Sequence, residues 1–298
     1  MLKIIQKRIA WISISSFLVA LSIVFLFSFG LKLGIDFTGG SLLEVKYNEA
    51  RPSIAEVQDK LSSVEINSLV IQPVGEDGIL LRFQEISEEK HQEVISALKT
   101  SDGEAEISLD EMRFEAVGPS IGQELKKKSI YAIVLVLLAI VAYISWVFRK
   151  VSKPIASWKY GVVANIALFH DVVITLGVFA ILGKYFGVEV NTPFVAAILT
   201  VMGYSVNDTI VVFDRIRENL PISDDDFEDT VNKSVNQTIT RSINTSMTTM
   251  LVLIAVLIFG GETIKSFVLA LTIGIAAGTY SSIFLASPLL VFWERFRK

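Results

Sequence analysis

Six stretches of this chain are apolar and long enough to cross a bilayer, and no other feature restricts its fold as strongly. A hydrocarbon core of about 30 Å requires ~20 mostly apolar residues in a helix rising ~1.5 Å per residue. Runs of that kind lie at roughly 9–29, 129–148, 160–182, 193–213, 244–260 and 266–292, the fifth being the shortest. A composition 52% hydrophobic over 298 residues points the same way. Between the first and second runs lies a polar region about as long as one small domain, and the other connections are short. The expected architecture is an all-α membrane bundle of six helices with one inserted domain. Residues 1–30 hold the first helix, 31–127 the inserted domain, and 128–298 the remaining five helices.

The positions of Lys and Arg predict the orientation. Lys3, Lys7 and Arg8 precede the first span, and Arg149, Lys150, Lys153 and Lys159 lie between the second and third. Arg215, Arg217, Lys233 and Arg241 separate the fourth from the fifth, and Arg295, Arg297 and Lys298 close the chain. The alternate loops carry only Lys184 near Glu189 and Lys265 near Glu262. Positive charge stays inside, so both termini are expected in the cytoplasm and residues 31–127 outside. Lys126, Lys127 and Lys128 run against this, but long translocated domains obey the rule poorly. The first span begins like a secretory signal; its long apolar run and the absence of a small-x-small site mark it as a retained anchor.

Charge and composition also exclude chemistries. The net charge of −4 divides between an acidic inserted domain and basic inner loops, which gives no nucleic-acid footprint. There is no cysteine, hence no disulfide or thiolate site, and His91 and His170 are too few for a histidine-based zinc site. No metal or organic cofactor is expected.

The inserted domain reads as βαββαβ. Residues 41–47 have strand composition, and Ser53-Ile54-Ala55-Glu56 is a capping-box pattern opening a helix over 53–64. Strands at 67–74 and 79–84 flank Gly75-Glu76-Asp77-Gly78, a hairpin signal. Ser87 caps a second helix whose apolar face carries His91, Val94, Ile95 and Leu98, and a last strand runs near 111–117. This order predicts an α+β ferredoxin-like sandwich with helices on one face of an antiparallel sheet. It shows no catalytic constellation. The joining segment Gly34-Ile35-Asp36-Phe37-Thr38-Gly39-Gly40 has three glycines in seven residues. It reads as a stiff turn that sets the domain's angle on the membrane, and less well as an anion-cradling loop, since no helix start follows it.

Ionisable and hydroxyl residues inside the spans carry the functional signal. The third span holds Asn165, His170, Asp171 and Thr175, with Asp171 and Thr175 on one face. The fourth holds Thr200, Tyr204, Asn207 and Asp208, the 200–204–208 series forming one stripe beside Gly203 and Ser205. The fifth opens with Arg241 and continues through Ser242, Thr245, Ser246, Thr248 and Thr249. A carboxylate in a bilayer core costs roughly 2.5–3.5 kcal/mol on insertion scales, so such residues are functional by default. Burial disfavours the charged form of a carboxyl group, and a neighbouring guanidinium favours it. An Asp alternating between an Arg partner and a wetted path therefore loads and releases protons, and Asp208 with Arg241 is the expected pair. The bland alternatives are an ion pair that fixes packing and, for His170, a ring bonded to a helix carbonyl. Asp214, Arg215 and Arg217 fit interfacial anchoring. In the loop at 221–240, Phe227, Val231, Val235 and Ile239 recur every four residues. That pattern predicts an amphipathic helix along the membrane or the bundle, with a partner-binding helix as the alternative.

Three blocks give the chain a resemblance to a known family over almost its whole length. They are GIDFTGG at Gly34–Gly40, GYSVNDTIVVFDRIREN at Gly203–Asn219, and RSINTSMTT at Arg241–Thr249; His170–Val172 and Val117–Gly122 fit as well. The chain resembles the smaller, SecF-type members of the SecD/SecF protein-export family within the resistance-nodulation-division superfamily. The resemblance implies a bacterial inner-membrane protein paired with a SecD-like subunit in a pseudo-twofold twelve-helix unit. Its further implied partners are the SecYEG translocon, the translocating preprotein and membrane lipids, with the proton-motive force assisting export and protons as the coupling ion. It implies a proton-passage role for Asp208, with Arg241 and Thr245 at the matching positions; Tyr204, Asn207, Asp171 and His170 complete the candidate pathway, and Gly34, Asp36, Gly39 and Gly40 are the candidate structural linker. Other readings fit less well. A small-molecule or lipid exporter of the same superfamily fits poorly with so compact an outer domain. An intramembrane aspartyl protease using Asp171 and Asp208 lacks the Gly-x-Gly-Asp pattern. A purely structural adaptor leaves the buried charges without a use.

Overall fold

The computed structural model describes residues 2–100, 107–149 and 155–295, the side chains of Glu262 and Thr263 aside. Lys150, Lys153, Arg297 and Lys298, counted above among the basic flanks, lie outside the described residues. The chain divides into a unit of Met1–Lys32 with Ser129–Lys298 and an inserted unit of Leu33–Lys128.

In chain order, a 3-10 turn at Ile5–Lys7 leads into α1 (Arg8–Phe29). The inserted unit holds the single helical turn α2 (Ile35–Thr38), β1 (Gly40–Tyr47), α3 (Ile54–Leu61), β2 (Val70–Val74), β3 (Gly78–Phe83), α4 (Glu88–Lys99) and β4 (Leu109–Val117). Then follow α5 (Pro119–Val147), α6 (Ser157–Phe186), α7 (Thr192–Asn219), α8 (Phe227–Phe259) and α9 (Glu262–Ser281), which widens into a π turn at Ser282–Ala286 and continues as α10 (Ser287–Arg295). Six of these helical stretches are long and apolar enough to span a membrane. The protein is a multi-pass membrane protein.

In the inserted unit the strands are all antiparallel, in the order β2-β3-β1-β4. Period-2 alternation sends Leu43, Val45 and Tyr47 of β1 and Ile79, Leu81 and Phe83 of β3 to the face covered by α3 and α4. These helices answer with Val57 and Leu61, and with Val94, Ile95 and Leu98. The expected capping box forms, Ser53 Oγ accepting from the Glu56 N–H and Glu56 Oε2 from the Ser53 N–H. His91 is buried, stacked on Phe114 at 3.7 Å between ring centroids. Its Nδ1 meets Glu88 at 3.2 Å, and its Nε2 lies 3.4 Å from Glu111. That contact and the bond from Gln92 hold the Glu88 carboxyl below its usual range, the Gln92 bond being the larger cause. Tyr47 carries its hydroxyl into this core without a hydrogen-bond partner, and burial pushes its pKa up to about 12.

The glycine segment is a turn, though not a featureless one. Ile35–Thr38 makes one helical turn, which the sequence reading did not expect, and Thr38 Oγ1 donates back to the Gly34 carbonyl. Gly39 and Gly40 follow at φ +76° and +126°, where other residues are strained. A Cβ on Gly39 would stand 2.8 Å from Pro119 Cα, and one on Gly40 2.8 Å from the Phe83 carbonyl oxygen.

In the membrane unit α6, α7 and the α9–α10 stretch form the interior. The others expose most of their length; α1 leans on α6, and α8 on α7 and α9. The segment at 221–240 is not a separate amphipathic piece. A helix starting at Phe227 runs unbroken into the fifth span, capped by Asp226 Oδ1 on the Asp229 N–H. Its stripe does pack, with Val231 and Val235 fully buried. One object it packs on is the chain's own beginning. Asn232 Oδ1 accepts from the Ile4 and Ile5 N–H groups at 3.0 and 3.2 Å, and Asn236 brackets Leu2 by accepting at 2.7 Å and donating at 2.9 Å. Glu228 then receives Arg8 from α1 at 2.7 Å and Arg295 from α10 at 2.5 Å.

Candidate functional site

The polar residues of the interior helices converge on two carboxylates. Asp171 on α6 is fully buried. Its Oδ1 meets His170 Nδ1 at 2.9 Å, while its Oδ2 accepts from Ser205 of α7 at 2.6 Å and from Ser281 of α9 at 2.9 Å. Three helices are therefore joined at one carboxyl group, which satisfies a polar group that lipid or a dry core could not. His170 uses Nδ1 on its neighbour, so the alternative of a helix carbonyl partner does not hold, and its Nε2 is buried without a partner. Its ring stacks on Tyr280 at 5.9 Å between centroids and borders an apolar cavity of about 310 Å³ lined by α1, α6, the π turn and α10. Thr175 shares the face of Asp171 but donates to its backbone carbonyl, not its carboxylate.

Asp208 on α7 is 7% exposed and accepts from Ser282 Oγ at 3.0 Å. The buried hydroxyl of Ser242 on α8 also lies beside it. The expected ion pair with Arg241 does not form: Arg241 is exposed on α8 and takes part in no salt bridge among the described residues. Helical phase is the reason. Successive residues turn by about 100° at 3.6 residues per turn, so with Ser242 and Ser246 facing inward, Arg241 and Thr245 face outward. Asn207 is exposed beside Asp208 on the same grounds.

The stripe at 200–204–208 divides likewise. Thr200 is exposed and bonds to the Ala196 carbonyl. The Tyr204 hydroxyl reaches α8, 3.5 Å from Ser246 and 3.4 Å from Thr249, and Thr279 of α9 donates to Ser246 at 2.7 Å. Two polar faces result. An inner one binds α6, α7 and α9 through the carboxylates. An outer one, formed by Thr200, Gly203 and Asn207 of α7 and Arg241, Thr245 and Thr248 of α8, is exposed among the described residues. Asp214 and Arg217 pair at 2.5 Å and Arg215 with Glu218 at 3.0 Å on the part-exposed end of α7. Asn165 donates to the Leu137 carbonyl at 3.3 Å and ties α6 to α5.

Sequence reasoning missed Ser281 and Ser282. The signal was there: two adjacent hydroxyls deep in an apolar span, three and four residues after Gly278, in a run with Gly274. A Cβ on Gly274 would lie 2.4 Å from Val201 Cγ2, so glycine lets α9 approach α7 closely enough for those hydroxyls to reach across.

With this geometry in view, the comparisons are specific. The model for the C-terminal part of the protein export membrane proteins SecD/SecF matches residues 96–296, and that for the SecD/SecF GG motif matches 24–50. The protein translocase subunit SecF of Thermobaculum terrenum is 45% identical, across 99% of this chain and 94% of its own length. That of Desulfurispirillum indicum is 44% identical, across 95% and 88%. Among solved structures, SecDF of Thermus thermophilus, a translocon-associated membrane protein, superposes with a TM-score of 0.82 at 32% identity. The match covers 99% of this chain and spans only 39% of that one. SecDF in its super-membrane-facing form gives a TM-score of 0.70 at the same identity and coverage.

Proposed function

The chain belongs to the SecD/SecF family of protein-export membrane proteins, and from that premise we propose that it is the SecF-type subunit of a SecD–SecF unit assisting Sec-dependent protein translocation, driven by protons exchanged at Asp208. The observation that carries the proton reading is the uneven setting of the two carboxylates. Asp171 is fully buried and held by three side-chain partners, whereas Asp208, at the edge of the buried core, has one hydroxyl at 3.0 Å and the Ser242 hydroxyl beside it. A carboxyl group poorly satisfied at a membrane helix interface is suited to take up and give back a proton.

The partner reading rests on the outer polar face. Asn207 and Arg241 stand exposed on membrane helices, where polar and charged side chains are costly, beside Thr200, Thr245 and Thr248, whose hydroxyls bond only to carbonyls of their own helices. A second subunit covering them supplies partners and brings Arg241 and Thr245 into a pathway with Asp208 and Tyr204. The SecDF relative, of which this chain spans 39%, has ample further length for a SecD-like part. In this reading SecYEG and the translocating preprotein are engaged through the assembled unit, both termini are cytoplasmic, and residues 31–127 lie outside. The βαββαβ order of the inserted unit supports the ferredoxin-like description, and Gly34, Asp36, Gly39 and Gly40 form its structural linker. The molecule is a transport subunit and not an enzyme.

Asp208→Asn tests this. Reconstituted with a SecD-type subunit, the variant is expected to fold and assemble while losing proton flux and the stimulation of export by the proton-motive force. Unimpaired stimulation would sink the proposal.

A further inference from the structure

Ser281 ends α9 and Ser282 opens the π turn, yet these neighbours serve different carboxylates. Ser281 Oγ lies 2.9 Å from Asp171 Oδ2, and Ser282 Oγ lies 3.0 Å from Asp208 Oδ2. Each also has a second acceptor, and it is the same one: the carbonyl oxygen of Gly278, 3.1 Å from Ser281 Oγ and closer still to Ser282 Oγ. That carbonyl already receives the Ser282 backbone N–H. A carbonyl has two lone pairs, so one remains for the two hydroxyls, and a serine hydroxyl has one proton to donate. Two protons thus face three acceptors: Asp171 Oδ2, Asp208 Oδ2 and Gly278 O. Both serines and Asp171 are fully buried, so no solvent settles the competition.

Resting on proton exchange at Asp208, we propose that Ser281 and Ser282 are positioning residues forming a hydroxyl relay through the Gly278 carbonyl, which couples Asp208 to Asp171. While Asp208 is a carboxylate, Ser282 donates to it, and the Gly278 carbonyl draws on Ser281. Asp171 Oδ2 then depends on Ser205. When Asp208 takes a proton from the pathway it becomes a donor to Ser282 Oγ. The Ser282 hydroxyl turns to Gly278, and the Ser281 proton is released to Asp171. One proton is added at Asp208; no other covalent bond changes, and the serines only rotate. Glycine at 278 permits the crowding, since a Cβ there would stand 2.9 Å from Ser205 Cβ and 3.4 Å from Asp171 Oδ2. The relay sits where α9 gives way to the π turn, and there Ser287 Oγ donates to the Ser282 carbonyl at 3.4 Å. A π turn inside a helix is a frequent mark of a functional site.

The test is difference infrared spectroscopy of the full chain in lipid nanodiscs, following the C=O stretch of protonated Asp208, assigned as the pH-dependent band lost in Asp208→Asn. Ser281→Ala, which removes no contact of Asp208, is expected to shift that band. In a Ser282→Ala background it is expected to have no further effect, because the route is already cut. An unmoved band in Ser281→Ala, or an equal shift in both backgrounds, overturns the relay alone. Absence of any pH-dependent band removable by Asp208→Asn overturns proton exchange at Asp208 and the relay together. Serine-to-alanine changes are small enough to leave the fold intact, and thermal unfolding of each variant checks this.

Discussion

Gly203→Ala separates what α7 needs for its own fold from what it reserves for a partner. Gly203 is the middle of a 28-residue helix and faces outward, with nothing within 4 Å of the place where a Cβ would stand. Glycine in a helix interior costs about 0.8–1 kcal/mol relative to alanine. No contact within this chain offsets that cost. In the isolated chain Gly203→Ala is therefore expected to raise stability by up to about 1 kcal/mol, read as a higher midpoint of thermal unfolding in nanodiscs. Against a SecD-type subunit the sign reverses. A methyl group forced into a close helix–helix contact costs about 1–3 kcal/mol. At 1.4 kcal/mol per decade, that corresponds to an association weaker by about 5- to 140-fold. Energy transfer between labelled subunits, titrated in the same nanodiscs, measures this. A lower unfolding midpoint for the isolated variant would mean that α7 needs the glycine for itself. Unchanged affinity would mean that the outer polar face is not the contact.

Two further expectations concern stability. Tyr47 loses its proton near pH 10 when unfolded and near 12 in the folded inserted unit, so its titration leaves stability unchanged below pH 10 and lowers it progressively between 10 and 12. Tyr47→Phe is expected to flatten the stability profile in that window and to be neutral or mildly stabilising below it, because the buried hydroxyl has no partner. Chemical denaturation followed across pH checks both parts, and an unchanged alkaline slope contradicts the assignment. Glu228→Gln weakens the clasp of Arg8 and Arg295 and is expected to lower stability by about 1–2 kcal/mol, read from the thermal midpoint.

What could be read from the sequence was local, and what escaped it was phase. The spans, the capping box at Ser53 and Glu56, and the hairpin at Gly75–Gly78 each depend on residues within one or two turns of one another. Which side of α8 faces inward does not. Arg241 and Ser242 are adjacent, and only the packing of α8 on α7 and α9 decides that the serine points in and the arginine out. Polar Asn, Lys and Thr residues between 230 and 245 look like a loop, and the clasp on the chain's own start turns them into the first turns of a helix. Ser281 and Ser282 were invisible as partners because their acceptors lie 110 and 74 residues away.

The same clasp imposes an order on the molecule's making. Ile4 waits for Asn232, 228 residues later in the chain. At about 5–20 residues per second of synthesis, the first residues spend ~10–50 s with their amide groups bound only to water or to other proteins. Arg295 reaches Glu228 only once synthesis has passed α10. The knot is thus tied late, and a chain truncated before α8 cannot hold Leu2, Ile4 and Ile5 in this way.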